Sequence, residues 1–286
     1  MDNTILKKIL IWFWSIFALG LASIILIFWL ITKGALGYLP PLDELQNPKN
    51  TFATEVISSD MQLLGRYYRQ ENRVGVNYED ISPNMINALI ATEDARFYNH
   101  TGIDFKSLFR AIIKMGRAGG GSTITQQLAK QLWSPRANNI FERALQKPIE
   151  WVIATKLERL YSKEEILTMY LNQFDFLYNA VGIKSAAQVY FSTTPDQLTI
   201  EEAAMLVGMC KNPSMYNPRR RPERALNRRN TVLDQMCKYG YLSTQECDSL
   251  QALPVNIKYQ SVDHKQGLAP YFREYLRQIL TAKEPK

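Results

Sequence analysis

From Ile9 to Thr32 the chain reads ILIWFWSIFALGLASIILIFWLIT, 24 residues without a charged side chain. As a helix this run reaches about 36 Å at about 1.5 Å per residue, more than the roughly 30 Å of a bilayer's hydrocarbon core. Lys7 and Lys8 precede it, and Trp12, Trp14 and Trp29 stand near its ends, where interfacial anchors belong. A cleaved signal peptide would have an apolar core of about 7–15 residues and a small-residue cleavage site. This run is longer and leads into KGALGYLPP instead. It reads as an uncleaved anchor, with residues 1–8 as a cytoplasmic leader and 9–32 as the transmembrane helix. Two lysines in the short leader favour the N-terminus inside and the bulk of the chain outside, against the single Lys33 that follows the run.

The rest divides by pattern. Residues 33–51 are rich in Pro and turn formers and read as a juxtamembrane linker. Short β-like runs, ATEVISS and LLGRYYRQ followed by NRVGV, predict a small hairpin or arm between 52 and 78. From Ser82 onward the expectation is eight to ten helices with no β-α alternation. Ser82-Pro83 gives an N-cap followed by proline at the first helical position. Ser162 with Glu165, Thr199 with Glu202, and Ser243 with Glu246 each have capping-box spacing. Gly240 stops the segment ending LDQMCKY. Pro148 predicts a helix start there, because an internal proline costs about 3 kcal/mol.

Charge and cysteine content narrow the chemistry. A formal net charge of +7 suits an anionic partner without choosing among nucleic acid, membrane and phosphorylated substrate. Three cysteines without CxxC spacing argue against a disulfide framework and a zinc site. The two histidines, His100 and His264, rule out a His-rich metal centre and have no recognisable triad setting.

Several acids and bases stand where a folded chain could use them. Glu93 and Asp94 interrupt the apolar segment NMINALIATED. Residues three and four apart share a helix face, so Glu93 neighbours Leu89, Ile90, Arg96 and Phe97. A carboxylate on an apolar wall suits a general base. The alternative is a salt bridge from Glu93 to Arg96 on a solvated face, and spacing does not choose between Glu93 and Asp94. In GIDFKSLFRAIIKMGR, Phe105, Leu108, Phe109, Ile112 and Ile113 recur at helical spacing with Lys106, Arg110, Lys114 and Arg117 between them. Such a helix either lies in the lipid headgroup layer or turns its apolar face to the core. GGGSTITQQLAKQ has P-loop spacing from Gly116 to Gly121, but Ser122 stands where the phosphate-holding lysine belongs, so a nucleotide site is rejected. A glycine-rich turn entering a helix still presents free N–H groups to a phosphate. Glu150, beside Trp151 and three residues after Lys147, would lie in the first turn of a helix begun at Pro148 and complement its dipole.

Taken in order, EDARFYNHTG, GGSTITQQLAKQ, QKPIE, KEEILTMYLN and RRNTVL resemble the five motifs of the peptidoglycan glycosyltransferases. These are the lysozyme-like domains of class A penicillin-binding proteins and monofunctional transglycosylases, and the likeness runs from about Val56 to about Met236. The resemblance implies an all-α, lysozyme-like domain over residues 52–253, on a single N-terminal transmembrane helix with a small β arm. It also implies polymerisation of lipid II and a lipid-linked growing glycan outside the bacterial cytoplasmic membrane. Glu93 would be the general base. Arg110, Lys130, Arg143 and Lys147 would hold the pyrophosphate, with or without a divalent cation such as Mg or Mn. Glu150 would be the second essential acid, orienting those cations or ligating the metal. Ser122, Thr123, Gln126 and Gln127 would line the substrate groove. RRNTVL would serve packing, with Arg228 or Arg229 near the groove. The partners implied are the membrane and other cell-wall synthesis proteins, not nucleic acid. The sequence departs from the family pattern at Gln146, where arginine is usual, at Pro148, and at Gln131, where asparagine is usual. DHKQGLAPYFREYLRQIL resembles the junction into a transpeptidase domain, so 254–286 reads as a linker toward one; neither SxxK nor KTG occurs in the sequence.

Two other readings compete: a lytic muramidase of the same fold, using a buried Glu as an acid, and a membrane-anchored scaffold whose acids only make salt bridges. The lysine-bearing STITQQ segment separates the first from a polymerase, because hydrolysis of a neutral glycosidic bond does not need it. Crosslinking to a lipid II analogue separates the second.

Overall fold

Hydroxyl caps set the helix starts. In a computed structural model, which describes residues 3–48, 54–60, 63–67, 73–113, 120–134, 139–260 and 270–281, all three capping boxes close in both directions. Ser82 accepts the Asn84 N–H, with Pro83 at the first helical position. The helices are α1 Asn3–Thr32, α2 Leu42–Gln46, α3 Pro83–Glu93, α4 Phe105–Ile113, α5 Ile124–Trp133, α6 Ile140–Leu160, α7 Lys163–Gln173, α8 Ile183–Phe191, α9 Ile200–Cys210, α10 Pro222–Lys238, α11 Thr244–Gln251 and α12 Pro270–Thr281. The arm is a two-stranded antiparallel hairpin, β1 Thr54–Ile57 and β2 Leu63–Tyr67, with a bulge between Val56 and Ile57. The continuation of the second β-like run, at 68–72, lies outside the described residues, as does Gly116.

The core forms around α9. Every residue from Ala203 to Cys210 is buried, so this helix is apolar on all sides and must be surrounded. α3 and α10 pack against it, while α5 lies against α6 and α7. Gly208 permits the closest approach: a Cβ there would stand 3.1 Å from Cγ of Arg228 on α10.

α1 is the opposite case. Trp12 and Leu19 are each 70% exposed, and Ile31 near its C-terminal end is buried. It is long and apolar enough to cross a membrane. Near its C-terminal end Phe28 stacks on Trp151 with ring centroids 6.4 Å apart.

Three expectations need correction. The segment read as a juxtamembrane linker is docked to the body: α2 buries Leu45, Trp133 Nε1 donates to Glu44 Oε1 (3.0 Å), and the Tyr161 hydroxyl reaches the Leu45 carbonyl (2.8 Å). Buried apolar contact outweighed its turn-rich composition. Pro148 does not start a helix; α6 begins at Ile140 with Asn139 as cap and runs through the proline. Burial of Ile153, Ala154 and Leu157 along α6 offsets the proline's cost. Glu150 therefore lies mid-helix, not in the first turn of α6. Finally, the body continues past residue 253. The extended stretch to Gln260 hydrogen-bonds along α8 (Lys258 N–H to Tyr190 O, 2.9 Å; Gln260 N–H to Val189 O, 2.8 Å), and Arg219 lies over the Tyr259 ring.

Candidate active site

The C-terminal end of α3, the start of α4, the glycine-rich entry to α5 and the face of α10 enclose a cleft of about 570 Å³. The adjacent acids at the end of α3 part company here. Asp94 is the α3 C-cap; its carboxylate accepts from His100 Nε2 (3.0 Å) and from the Ile124 N–H at the start of α5 (3.1 Å). His100 Nδ1 accepts from the Gly102 N–H (3.2 Å), which assigns the ring proton to Nε2. Asp94 is thus occupied in tying α3 to α5.

Glu93 opens toward the cleft, its side chain 15% exposed. Its Oε2 accepts from Gln127 Nε2 (2.9 Å), and its Oε1 faces Arg228 Nη2 at 3.6 Å. Arg96, the alternative partner, is engaged elsewhere, with its Nε–Nη2 edge bidentate on Asp104. Gln127 is itself fixed by the Tyr170 hydroxyl, which donates to its Oε1 (3.1 Å). Burial, then the Cys210 and Glu93 charges, pushes the Tyr170 hydroxyl well above its ordinary range, so it stays a donor. Beyond Glu93, Arg228 Nε is buried without a hydrogen-bond partner among the described residues.

Asp104 caps α4 by accepting the Ser107 N–H (3.2 Å) while it pairs with Arg96. Burial alone would raise its carboxyl, but the hydrogen bonds from Arg96 and Ser107 overcome this and hold it at about 2. Arg110 lines the same cleft and donates to Ser107 Oγ (3.0 Å).

The glycine-rich turn brings in the second acid. Ser122 lines the cleft and accepts from Lys147 Nζ (3.0 Å), which also binds Glu150 Oε2 (2.8 Å). Glu150 is 3% exposed. Glu93 lines the cleft directly, whereas Lys147 and Glu150 stand behind its wall, linked to it through Ser122. Thr123 lines it too, with its hydroxyl used twice: it caps α5 and donates to the Gly102 carbonyl (2.7 Å).

Not every predicted residue arrives. Gln126 is a correction: it is 1% exposed and donates to the Gly102 carbonyl (3.0 Å), because a step of about 100° along α5 turns it inward when Gln127 faces the cleft. Lys130, at the far end of α5, and Arg143, in the first turn of α6, are exposed and do not line the cleft. Conversely, Lys211, Lys238 and Asp104 line it although no sequence pattern pointed to them, and Arg96 lines it paired with Asp104 rather than with Glu93. RRNTVL was the one signal for Arg228; the fold divides its arginines, since Arg229 is 1% exposed and donates to the carbonyls of Gln251, Leu253 and Pro254.

The donor set does not make a protein-only cation cage. Among the described residues no three His, Cys, Asp or Glu side chains gather as metal ligands, and Glu150 Oε2 is on Lys147.

A family profile described as Transglycosylase matches residues 60–237. The chain belongs to that family, the peptidoglycan glycosyltransferase domain of class A penicillin-binding proteins. Penicillin-binding protein 1A of Escherichia coli (strain K12) is 39% identical over 246 residues, covering 84% of this chain and 28% of that protein. Penicillin-binding protein 1A of Aquifex aeolicus (strain VF5) is 39% identical over 236 residues, 81% of this chain and 31% of that one. A 2.6 Å crystal structure of penicillin-binding protein 1A from Haemophilus influenzae aligns with a TM-score of 0.43 at 23% identity, over 81% of this chain and 24% of that one. The chain thus spans less than a third of the length of the curated relatives it matches.

Proposed function

We propose that this chain polymerises lipid II into β-1,4 glycan by inverting transfer, with Glu93 as general base. Glu93 takes the proton from the acceptor sugar's 4-hydroxyl. That oxygen attacks the anomeric carbon of the growing chain as the C–O bond to undecaprenyl pyrophosphate breaks, and the lipid pyrophosphate leaves with the bonding pair. Pyrophosphate is a good leaving group and needs positive charge more than a proton. Arg110 and Arg228 supply that charge at the cleft, and Lys147, held by Glu150, adds to it from behind Ser122. A divalent cation, if the reaction uses one, would be carried chiefly by the substrate's phosphates, with Glu150 as at most one protein ligand.

The observation that supports this reading best is the division of labour at the end of α3. Both acids border the cleft, but the Asp94 carboxylate is held by His100 and the Ile124 N–H, while Glu93 stands between Gln127 and a guanidinium. α4 adds support: Phe105, Phe109 and Ile113, four residues apart, are all more than 60% exposed beside the cleft, as an edge entering the headgroup layer would be. This favours the lipid-facing reading of α4 over the core-facing one. With Lys7 and Lys8 inside, the body stands outside the cytoplasmic membrane, where the lipid-linked precursor is consumed.

The test is Glu93→Gln, which keeps the acceptor for Gln127 and the shape of the side chain. Polymerisation of lipid II should fall by about 10²–10⁴-fold or more while the melting temperature holds. Activity near the parent level would remove Glu93 from the mechanism.

A further inference from the structure

Spacing in the sequence argues against a disulfide framework, yet the fold brings two of the three cysteines together. Gly240, at φ +81°, reverses the chain after α10, with the Gly240 N–H on the Cys237 carbonyl (3.0 Å) and the Tyr241 N–H on the Met236 carbonyl (2.9 Å). Ser243 then caps α11. The turn lays the last turn of α10 against the first of α11. Cys237 lies in the former and Cys247 in the latter, both in one apolar cluster and with their side chains in contact. Cys247 is buried, while Cys237 is half-buried. Cys210 is buried on α9, its thiol directed at the Leu206 carbonyl (3.6 Å).

We propose that Cys237 and Cys247 are a disulfide-forming pair that staples α10 to α11 when the chain meets a disulfide oxidant. The better exposed Cys237 attacks first, as the thiolate, on a sulfur of the oxidant; that S–S bond breaks and the other oxidant sulfur leaves as a thiol. Cys247 then attacks Cys237 of the mixed disulfide and releases the second oxidant thiol. In sum, two protein thiols lose two protons and two electrons, and the oxidant disulfide becomes two thiols. Burial, with Cys237 next in effect, pushes the Cys247 thiol up to about 11, which suits it to the second, enforced step rather than the first. Formation of the bond in cells rests on the outward orientation proposed above, since disulfides persist outside the cytoplasm. The pairing itself does not.

The staple would brace the cleft. Arg228, Gln235, Lys238 and Tyr239 all line the cleft from α10 and its end, on either side of Cys237. A loop this short should raise the melting temperature by roughly 5–10 °C over the reduced protein.

The test uses the full chain purified in detergent. It is incubated with glutathione disulfide, quenched with acid, denatured, and alkylated with a maleimide without reductant. Intact mass should show one adduct, and peptide mapping should place it on Cys210 and find Cys237 joined to Cys247. Three adducts, a bridge to Cys210, or glutathione retained on Cys237 would overturn the proposal. Protease accessibility of the body in sealed vesicles reads the orientation separately, so a failure of orientation is not mistaken for a failure of the pair.

Discussion

Replacing Asp104 by Asn removes one charge from the mouth of the cleft and leaves the α4 cap almost intact, since Asn caps about as well as Asp. The magnitude follows from the displaced titration. Hydrogen bonds from Arg96 and Ser107, working against burial, take the carboxyl from the usual 3.8 to about 2. At about 1.36 kcal/mol per unit, the ionised form contributes about 2 kcal/mol to folding at neutral pH. The native value is depressed, so the contribution is complete above about pH 5, where the unfolded carboxyl is also ionised, and is lost as pH falls through the native value near 2. By pH 3 about half should be gone. Urea unfolding of the detergent-solubilised protein at pH 7, 5 and 3 measures this. The wild type should exceed Asp104→Asn by about 2 kcal/mol at pH 7 and by about 1 kcal/mol at pH 3. Arg96→Met should reproduce much of the loss, and the double variant should fall short of the sum. An advantage that stayed flat or grew on acidification would refute the assignment of Arg96 and Ser107 as the cause.

Gly102 sits at φ +90°, and a Cβ there would meet the Ala154 backbone carbonyl at 2.9 Å. Gly102→Ala should therefore cost about 2–4 kcal/mol and lower the melting temperature by roughly 5–15 °C in a thermal scan, because neither backbone can yield cheaply. Changing Phe105, Phe109 and Ile113 together to serine should move stability little, since all three are exposed, but should weaken both vesicle co-sedimentation and turnover of membrane-embedded lipid II. Unchanged turnover on vesicles would place α4 away from the bilayer.

The acid pair shows where sequence reasoning stopped. The apolar setting of Glu93 was legible from helical spacing, but Glu93 and Asp94 differ by only about 100° of rotation, and α3 had to be seen ending at Glu93 before their roles divided. The tie from Asp94 to the start of α5 spans 30 residues. Gln126 and Gln127 have the same ambiguity, resolved only when α5 packs on α7 and the Tyr170 hydroxyl selects Gln127. Pro148 misled because a local cost of about 3 kcal/mol is decisive only where no tertiary burial opposes it.

What the sequence determined alone was everything whose energy is local or bulk. The apolar run fixed an anchor-length helix by its length, hydroxyl–carboxylate spacings fixed three helix starts, and Gly240 fixed one stop. The five ordered motifs fixed the family. Only the tertiary structure decided which side chains share the cleft. Arg228 reaches Glu93 across 135 positions because Gly208 lets α10 close on α9, and Lys147 reaches Ser122 because α6 runs on through its proline. Contacts of that kind depend on how helices distant in the chain pack, and no local pattern encodes the distance between them.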